Sequence, residues 1–256
     1  MRRLSMIALG LSGLATSAAA ADLPRKAPPL PPVQSVQPAN WTGFYIGVHG
    51  GYSWGQWDGN LHFDPGTGPL EVFNPARRTI DGNGWLAGGQ IGFNYQINSF
   101  VFGLEADASW TNLKGSGSFN TAPGDFNWAI ENRLNWFGTA RARAGVAVDS
   151  FLFYATGGVA FGQSKRDLVV SEVVPCCLVT AVASANENHV GWTVGGGVEW
   201  MYSRNWSVKA EYLYVDLGTA DYHFVGTTFV GTPHTTDNFL GDLTFSVVRA
   251  GLNYRF

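Results

Sequence analysis

Residues 100–110 read Phe100-Val101-Phe102-Gly103-Leu104-Glu105-Ala106-Asp107-Ala108-Ser109-Trp110. Successive side chains of an extended strand point to opposite faces. Phe102, Leu104, Ala106, Ala108 and Trp110 therefore share one face, while Glu105 and Asp107 share the other. The pattern returns in residues 132–148, where Trp136, Ala140, Ala142 and Ala144 alternate with Arg141 and Arg143. Two strands with one greasy face and opposite charges on the other set the question for the whole chain: which face looks toward solvent.

Working outward, period-2 alternation defines eight segments: 42–55, 84–97, 100–114, 132–148, 151–165, 188–203, 205–218 and 244–256. Pro65, Pro69, Pro75, Pro123, Pro175 and Pro233 all fall between them, as expected where a proline would delete a ladder hydrogen bond. The connections alternate in length. Asn98-Ser99, Asp149-Ser150 and the residues around Arg204 form tight turns. Residues 56–83, 115–131, 166–187 and 219–243 read as four long loops rich in Gly, Asn, Thr and Asp. An even strand count with tight turns at one rim and long loops at the other is the layout of a bacterial outer-membrane barrel.

The apolar face continues through Phe44, Ile46, Val48, Ile91, Phe93, Phe153, Val159, Val194, Val208 and Tyr212 to Val248, Leu252, Tyr254 and Phe256. The opposite face carries Gln90, Asn94, Glu105, Asp107, Arg141, Arg143, Thr193, Glu199, Lys209, Glu211, Arg249 and Asn253 among many glycines. A soluble barrel with an apolar interior fits the same two faces, so the aromatics decide. They pair at opposite ends of the apolar face: Phe44 with Trp54, Trp85 with Tyr95, Phe102 with Trp110, Phe151 with Phe161, Trp192 with Trp200, and Trp206 with Tyr214. At about 3.3 Å per residue and a tilt near 40°, each pair spans roughly 20–25 Å along the barrel axis, the height of an apolar membrane band with its two aromatic girdles. The expected fold is all-β: an eight-stranded antiparallel transmembrane up-and-down barrel with its apolar face toward lipid.

Composition agrees. The chain of 256 residues is 45% hydrophobic and 14% aromatic but only 14% charged, with 33 glycines. Disorder would require few aromatics and a high net charge. Beyond residue 20 no apolar run approaches the ~20 residues of a spanning helix. A formal charge of −3 argues against nucleic acid as a partner.

Arg2 and Arg3, the apolar run Met6–Leu14 and the small residues Ala18-Ala19-Ala20 read as a secretory signal over 1–20, cut after Ala20. Residues 21–40 carry Pro24, Pro28, Pro29, Pro31, Pro32 and Pro38, and read as a semi-rigid periplasmic tether. The barrel domain is placed at 41–256.

Four segments resemble one family: Ala21-Asp22-Leu23-Pro24, Trp41-Thr42-Gly43-Phe44-Tyr45-Ile46-Gly47, Lys209-Ala210-Glu211-Tyr212-Leu213-Tyr214 and Arg249-Ala250-Gly251-Leu252-Asn253-Tyr254-Arg255-Phe256. The chain is similar to the small outer-membrane β-barrel proteins of alphaproteobacteria, related in architecture to the OmpA membrane domain and of the porin-family surface-antigen type. The resemblance implies insertion by the barrel-assembly machinery, with Arg249, Gly251, Tyr254 and Phe256 at the positions of its C-terminal signal. It also implies a structural and host-interacting role at the cell surface, and haem binding in some relatives.

On the lumen face, Glu105, Asp107, Glu199 and Glu211 stand against Arg141, Arg143, Lys209 and Arg249, four acids to four bases. Eight strands enclose an interior just wide enough for side chains, so these charges read as a paired plug. Glu199 and Lys209 are expected to pair across their hairpin. The alternative is a small porin-like channel lined by the same charges. A third reading is a surface protein binding haem or a host partner. His62, His189, His223 and His234 lie in or beside long loops with Asp221 and Asp237 nearby, but no nucleophile motif or His-x-x-x-His spacing accompanies them, so neither an enzyme nor a cofactor or metal is expected. Adjacent Cys176 and Cys177 have as options a strained ring with each other, free thiols or bridges to another chain, and no folding role is evident for them. The expected partners are outer-membrane lipid, lipopolysaccharide and the assembly machinery.

Overall fold

The computed structural model describes residues 39–61, 77–121, 126–174, 177–227 and 233–256. The signal at 1–20 and residues 21–38 of the tether lie outside them. Eight strands run in chain order: β1 (Gly43–Leu61), β2 (Arg77–Ile97), β3 (Phe100–Thr121), β4 (Phe126–Val148), β5 (Phe151–Val174), β6 (Cys177–Met201), β7 (Trp206–Thr227) and β8 (Pro233–Arg255). Every strand is antiparallel to its neighbours, and β8 pairs with β1 to close the barrel. Closure leaves no sheet edge, the condition for placing β-structure in lipid.

At the tight-turn rim the strands end within two residues of where alternation ends. Asn98 and Asp149 open the two-residue turns with φ of 55° and 51°. Asn and Asp tolerate this left-handed geometry better than other non-glycine residues.

At the other rim the strands run much further than expected, reaching 25 residues in β6. Nearly half of 56–83 and most of 115–131, 166–187 and 219–243 is strand and not loop; residues 62–76, 122–125, 175–176 and 228–232 lie outside the described residues. The ladder continues beyond the apolar band, where no lipid imposes one apolar and one polar face (Leu168-Val169-Val170 of β5 is apolar at both parities), so alternation stops although the hydrogen bonds do not. Pro233 is accordingly the first residue of β8 and not a loop residue, a position that tolerates its missing N–H.

The orientation of the faces is unambiguous. Phe102, Trp192 and Tyr212 are 45–50% exposed on the outside, whereas Glu105, Arg143 and Glu211 are at most 4% exposed within the lumen.

The lumen is filled in three layers. Lys209 and Glu211 on β7 lead to Leu213, Val215 and Leu217, while Leu243, Phe245 and Val247 on β8 lead to Arg249. A charged waist thus lies below an apolar layer that also includes Trp57, Leu86, Leu113, Leu134 and Phe137. Phe137 meets Phe245 edge to face, with ring centres 5.2 Å apart. At the tight-turn rim, Trp41, Val101, Leu152 and Tyr154 form a second apolar group. Neither apolar layer was anticipated, because parity identifies the inward positions but not that the polar set gives way to Leu, Val and Phe along the axis.

Candidate functional site

The charges of the waist are supplied by alternate residues of five strands, β3, β4, β6, β7 and β8. Arg141 on β4 reaches Glu105 at 2.5 Å, Asp107 at 3.0 Å and Glu211 at 3.0 Å. Arg249 on β8 binds Asp107 at 3.0 Å and Glu211 at 2.7 Å. Lys209 Nζ donates to both oxygens of Glu105, at 2.8 and 3.0 Å. Arg143 donates to Glu199 at 2.8 Å and lies 3.5 Å from Glu105.

Glu199 and Lys209 are register partners, but their expected ion pair is absent. The four-carbon stem of Lys209 carries its ammonium across the lumen to β3, where Glu105 offers two oxygens. Glu199 instead accepts from Arg143, from Ser207 at 2.5 Å and from Asn253 at 2.8 Å.

Neutral groups complete the waist. The Tyr45 hydroxyl donates to Glu105 at 2.6 Å and the Tyr154 hydroxyl to Glu211 at 3.1 Å. Their rings hold the Arg143 guanidinium between them, 5.2 Å from the Tyr45 centre and 4.7 Å from the Tyr154 centre. Each ring lies over a glycine on the neighbouring strand. A Cβ at Gly92 would collide with the Tyr45 hydroxyl, and one at Gly197 would meet the Tyr154 hydroxyl at 2.8 Å. Thr139 donates to Asp107 at 2.5 Å. His49 bonds Gln90 and, at 2.7 Å, Ser109, and Gln90 donates to Asn253 at 2.6 Å. Sequence reasoning missed Tyr45, His49, Thr139, Tyr154 and Ser207. Parity places all of them inward, but none carries the charge that singled out the others.

The remaining inward residues have other surroundings. Thr193 is buried and donates to the Tyr214 carbonyl at 2.9 Å. Asn94 is buried, and its Oδ1 has no hydrogen-bond partner; neither has Trp41 Nε1. Both residues border a cavity of about 10 Å³ at the tight-turn rim, with Glu199, Ser207 and Arg255. That is room for one water.

The histidines among the described residues lie on four different strands. His189 is inward on β6, its Nε2 2.7 Å from Ser164 Oγ, and His223 and His234 belong to β7 and β8 and not to loops, since the ladder extends through them. Asp221 and Asp237 lie in the same two strands. His62 and Cys176 are outside the described residues, and Cys177 opens β6. Among the described residues no cluster of His, Cys, Asp or Glu is arranged to hold a metal.

Outside, the aromatics named for the girdles, Phe44, Trp54, Trp85, Tyr95, Phe102, Trp110, Phe151, Phe161, Trp192, Trp200 and Trp206, are exposed, and Tyr214 is half-buried. They pack as neighbours around the barrel: Phe151 stacks on Trp200 at 6.3 Å, and Trp192 lies 5.6 Å from Tyr214. At the C-terminus, Arg249 and Gly251 face the lumen. Tyr254 and Phe256 face outward with ring centres 5.3 Å apart. So continuous an apolar surface far exceeds the patches that soluble monomers expose.

Residues 6–256 match the family model of the outer membrane protein beta-barrel domain. The 31 kDa outer-membrane immunogenic protein of Brucella melitensis is 32% identical over 250 residues, covering 94% of this chain and 95% of the relative. The 22 kDa outer membrane protein of Rhizobium leguminosarum bv. viciae is 29% identical over 197 residues, covering 76% of this chain and 73% of that protein. Among solved structures, OprG of Pseudomonas aeruginosa has a TM-score of 0.50 at 14% identity, covering 85% of this chain and 98% of that one. With its greasy surface turned outward and its charges enclosed, the chain is an integral outer-membrane protein and belongs to the outer membrane protein beta-barrel domain family.

Proposed function

We propose that the barrel is a closed structural scaffold that does not conduct ions and that presents its long-strand rim at the cell surface. The observation supporting this is the mutual pairing of the charges in the waist. Four acids and four bases bond to one another at no more than 3.0 Å in their principal contacts, and an apolar layer lies above them. An ion crossing this section would have to strip buried partners from one another and then pass side chains with nothing to coordinate it. The role is read as non-enzymatic, in keeping with relatives named as outer-membrane immunogenic proteins. The name of the Brucella relative, an immunogenic protein, fits a surface seen from outside the cell.

In this reading residues 1–20 are removed on export, 21–40 tether the barrel on the periplasmic side, and the assembly machinery takes the chain through Arg249, Gly251, Tyr254 and Phe256. The lipid-facing surface associates with outer-membrane lipid and lipopolysaccharide. Planar-bilayer recording of the folded protein tests the central claim: no unitary current is expected, and steady nanosiemens steps would establish a pore instead.

A further inference from the structure

The lipid-facing surface carries a feature that the plugged lumen does not use. Lys114 on β3 is the register partner of Arg133 on β4, which is in turn the partner of Lys165 on β5. Three cations from adjacent strands thus stand side by side, with neighbouring Cα atoms about 5 Å apart. All three are on the outside of the barrel.

A bulge produces this row. The β4–β5 register shifts between Leu134 and Trp136, with Asn135 as the extra residue. Below it the outward residues of β4 are even-numbered, including Trp136, Ala140 and Ala142; above it they are odd-numbered, including Arg133 and Glu131. Were β4 unbulged, with Asn135 taking its turn in the alternation, Arg133 would enter the lumen and the buried Asn132 would take its place outside. Re-aiming a side chain at a barrel rim is a recurrent use of bulges.

The height of the row suits a headgroup. Trp110 pairs with Trp136, and Trp136 meets Phe161 with ring centres 6.3 Å apart, forming the upper aromatic edge of the band on these strands. Lys114 follows Trp110 by four residues and Lys165 follows Phe161 by four, a climb of about 10 Å along the axis. Long basic side chains reach back from there into the headgroup layer. Arg133 holds Glu131 at 2.6 Å and Lys165 holds Asp167 at 3.2 Å, but these pairs are exposed to solvent and weak, so a phosphate can displace them. Among the described residues no carboxylate pairs with Lys114. Glu131 and Asp167 are partners of each other one step farther from the membrane, so a headgroup arriving from the bilayer meets the cations first.

We propose that Lys114, Arg133 and Lys165 bind the phosphates of an acylated phosphoglycolipid of the outer leaflet, the lipid A portion of lipopolysaccharide, whose chains lie against Trp110, Trp136 and Phe161. This rests on the reading of lipopolysaccharide as a partner and assigns its site.

The test is native mass spectrometry of the folded full chain titrated with bisphosphorylated lipid A, dephosphorylated lipid A and phosphatidylglycerol. Wild type prefers bisphosphorylated lipid A. The triple variant K114Q/R133Q/K165Q, its fold checked by heat-modifiable mobility, binds it about tenfold or more weakly and loses the preference over the dephosphorylated form. The variant E131Q/D167N binds it more tightly, a gain that misfolding cannot produce. Unchanged binding in both variants beside a preserved wild-type preference overturns the site but leaves lipopolysaccharide as a partner. Displacement of lipid A by equimolar inorganic phosphate overturns the glycolipid assignment in favour of a free-anion site. Absence of any wild-type preference removes the partner and the site together.

Discussion

Lys209 and Glu105 come from strands on opposite sides of the lumen, yet the Lys209 ammonium sits 2.8 Å from one Glu105 oxygen and 3.0 Å from the other. The contact spans the barrel and ties β7 to β3, strands with no shared ladder. The waist therefore acts as a transverse strut as well as a neutral filling.

Removing that strut takes from the buried Glu105 the cation that bonds both of its oxygens. Lys209→Ala is expected to destabilise the barrel by ~3–5 kcal/mol, the usual cost of breaking a buried pair from one side. Urea unfolding in lipid vesicles measures it; a loss below about 1 kcal/mol would show that water or a neighbour takes over the role.

Bonding and register differ at Glu199, which allows a sharper test. A double-mutant cycle on Arg143→Met and Glu199→Gln should give a coupling of about 1–3 kcal/mol, with a smaller coupling for Lys209→Met and Glu199→Gln. Equal couplings would mean that ladder proximity governs the network and not the hydrogen bonds found here.

The Tyr45 ring requires the missing side chain of Gly92. Gly92→Ala is expected to cost about 1–3 kcal/mol, as overpacking typically does. Gly92→Ala combined with Tyr45→Leu should cost less than the sum of the two single changes, because the hydroxyl and Cζ of Tyr45 are the nearest obstacles to a Cβ.

On the outer surface, Ala142 lies mid-strand among the lipid-facing residues. Ala142→Arg should destabilise the inserted barrel by about 2–4 kcal/mol. The same variant measured for a soluble fold would be nearly neutral, so vesicle-based unfolding separates a lipid-facing surface from a water-facing one.

The proposed processing has a direct readout. Intact mass of the protein extracted from outer membranes should correspond to a chain beginning at Ala21, and a mass retaining Met1 would reject the cleavage.

Alternation alone was enough to identify the eight strands, the tight-turn rim and the outward face, because period-2 patterning is a local property and lipid imposes it wherever a strand crosses the band. Residues 100–110 already contain the pattern. The strands' extension beyond the band left no such trace, since above the bilayer no lipid enforces the alternation, although the ladder keeps β5 and β6 paired out to Val174 and Cys177. Charge counting found the four acids and four bases of the waist, but their partners depended on closure. Only when β1 meets β8 do Lys209 and Glu105 face each other across the lumen, Tyr45 and Tyr154 enclose Arg143, and Leu213 and Phe245 join one apolar layer above. The side-chain direction of Arg133 likewise rests on one extra residue in β4, whose effect appears only against the register of its neighbours. Local spacing assigns a residue to a face; which residue it touches there is decided by the curvature and stagger of the closed sheet.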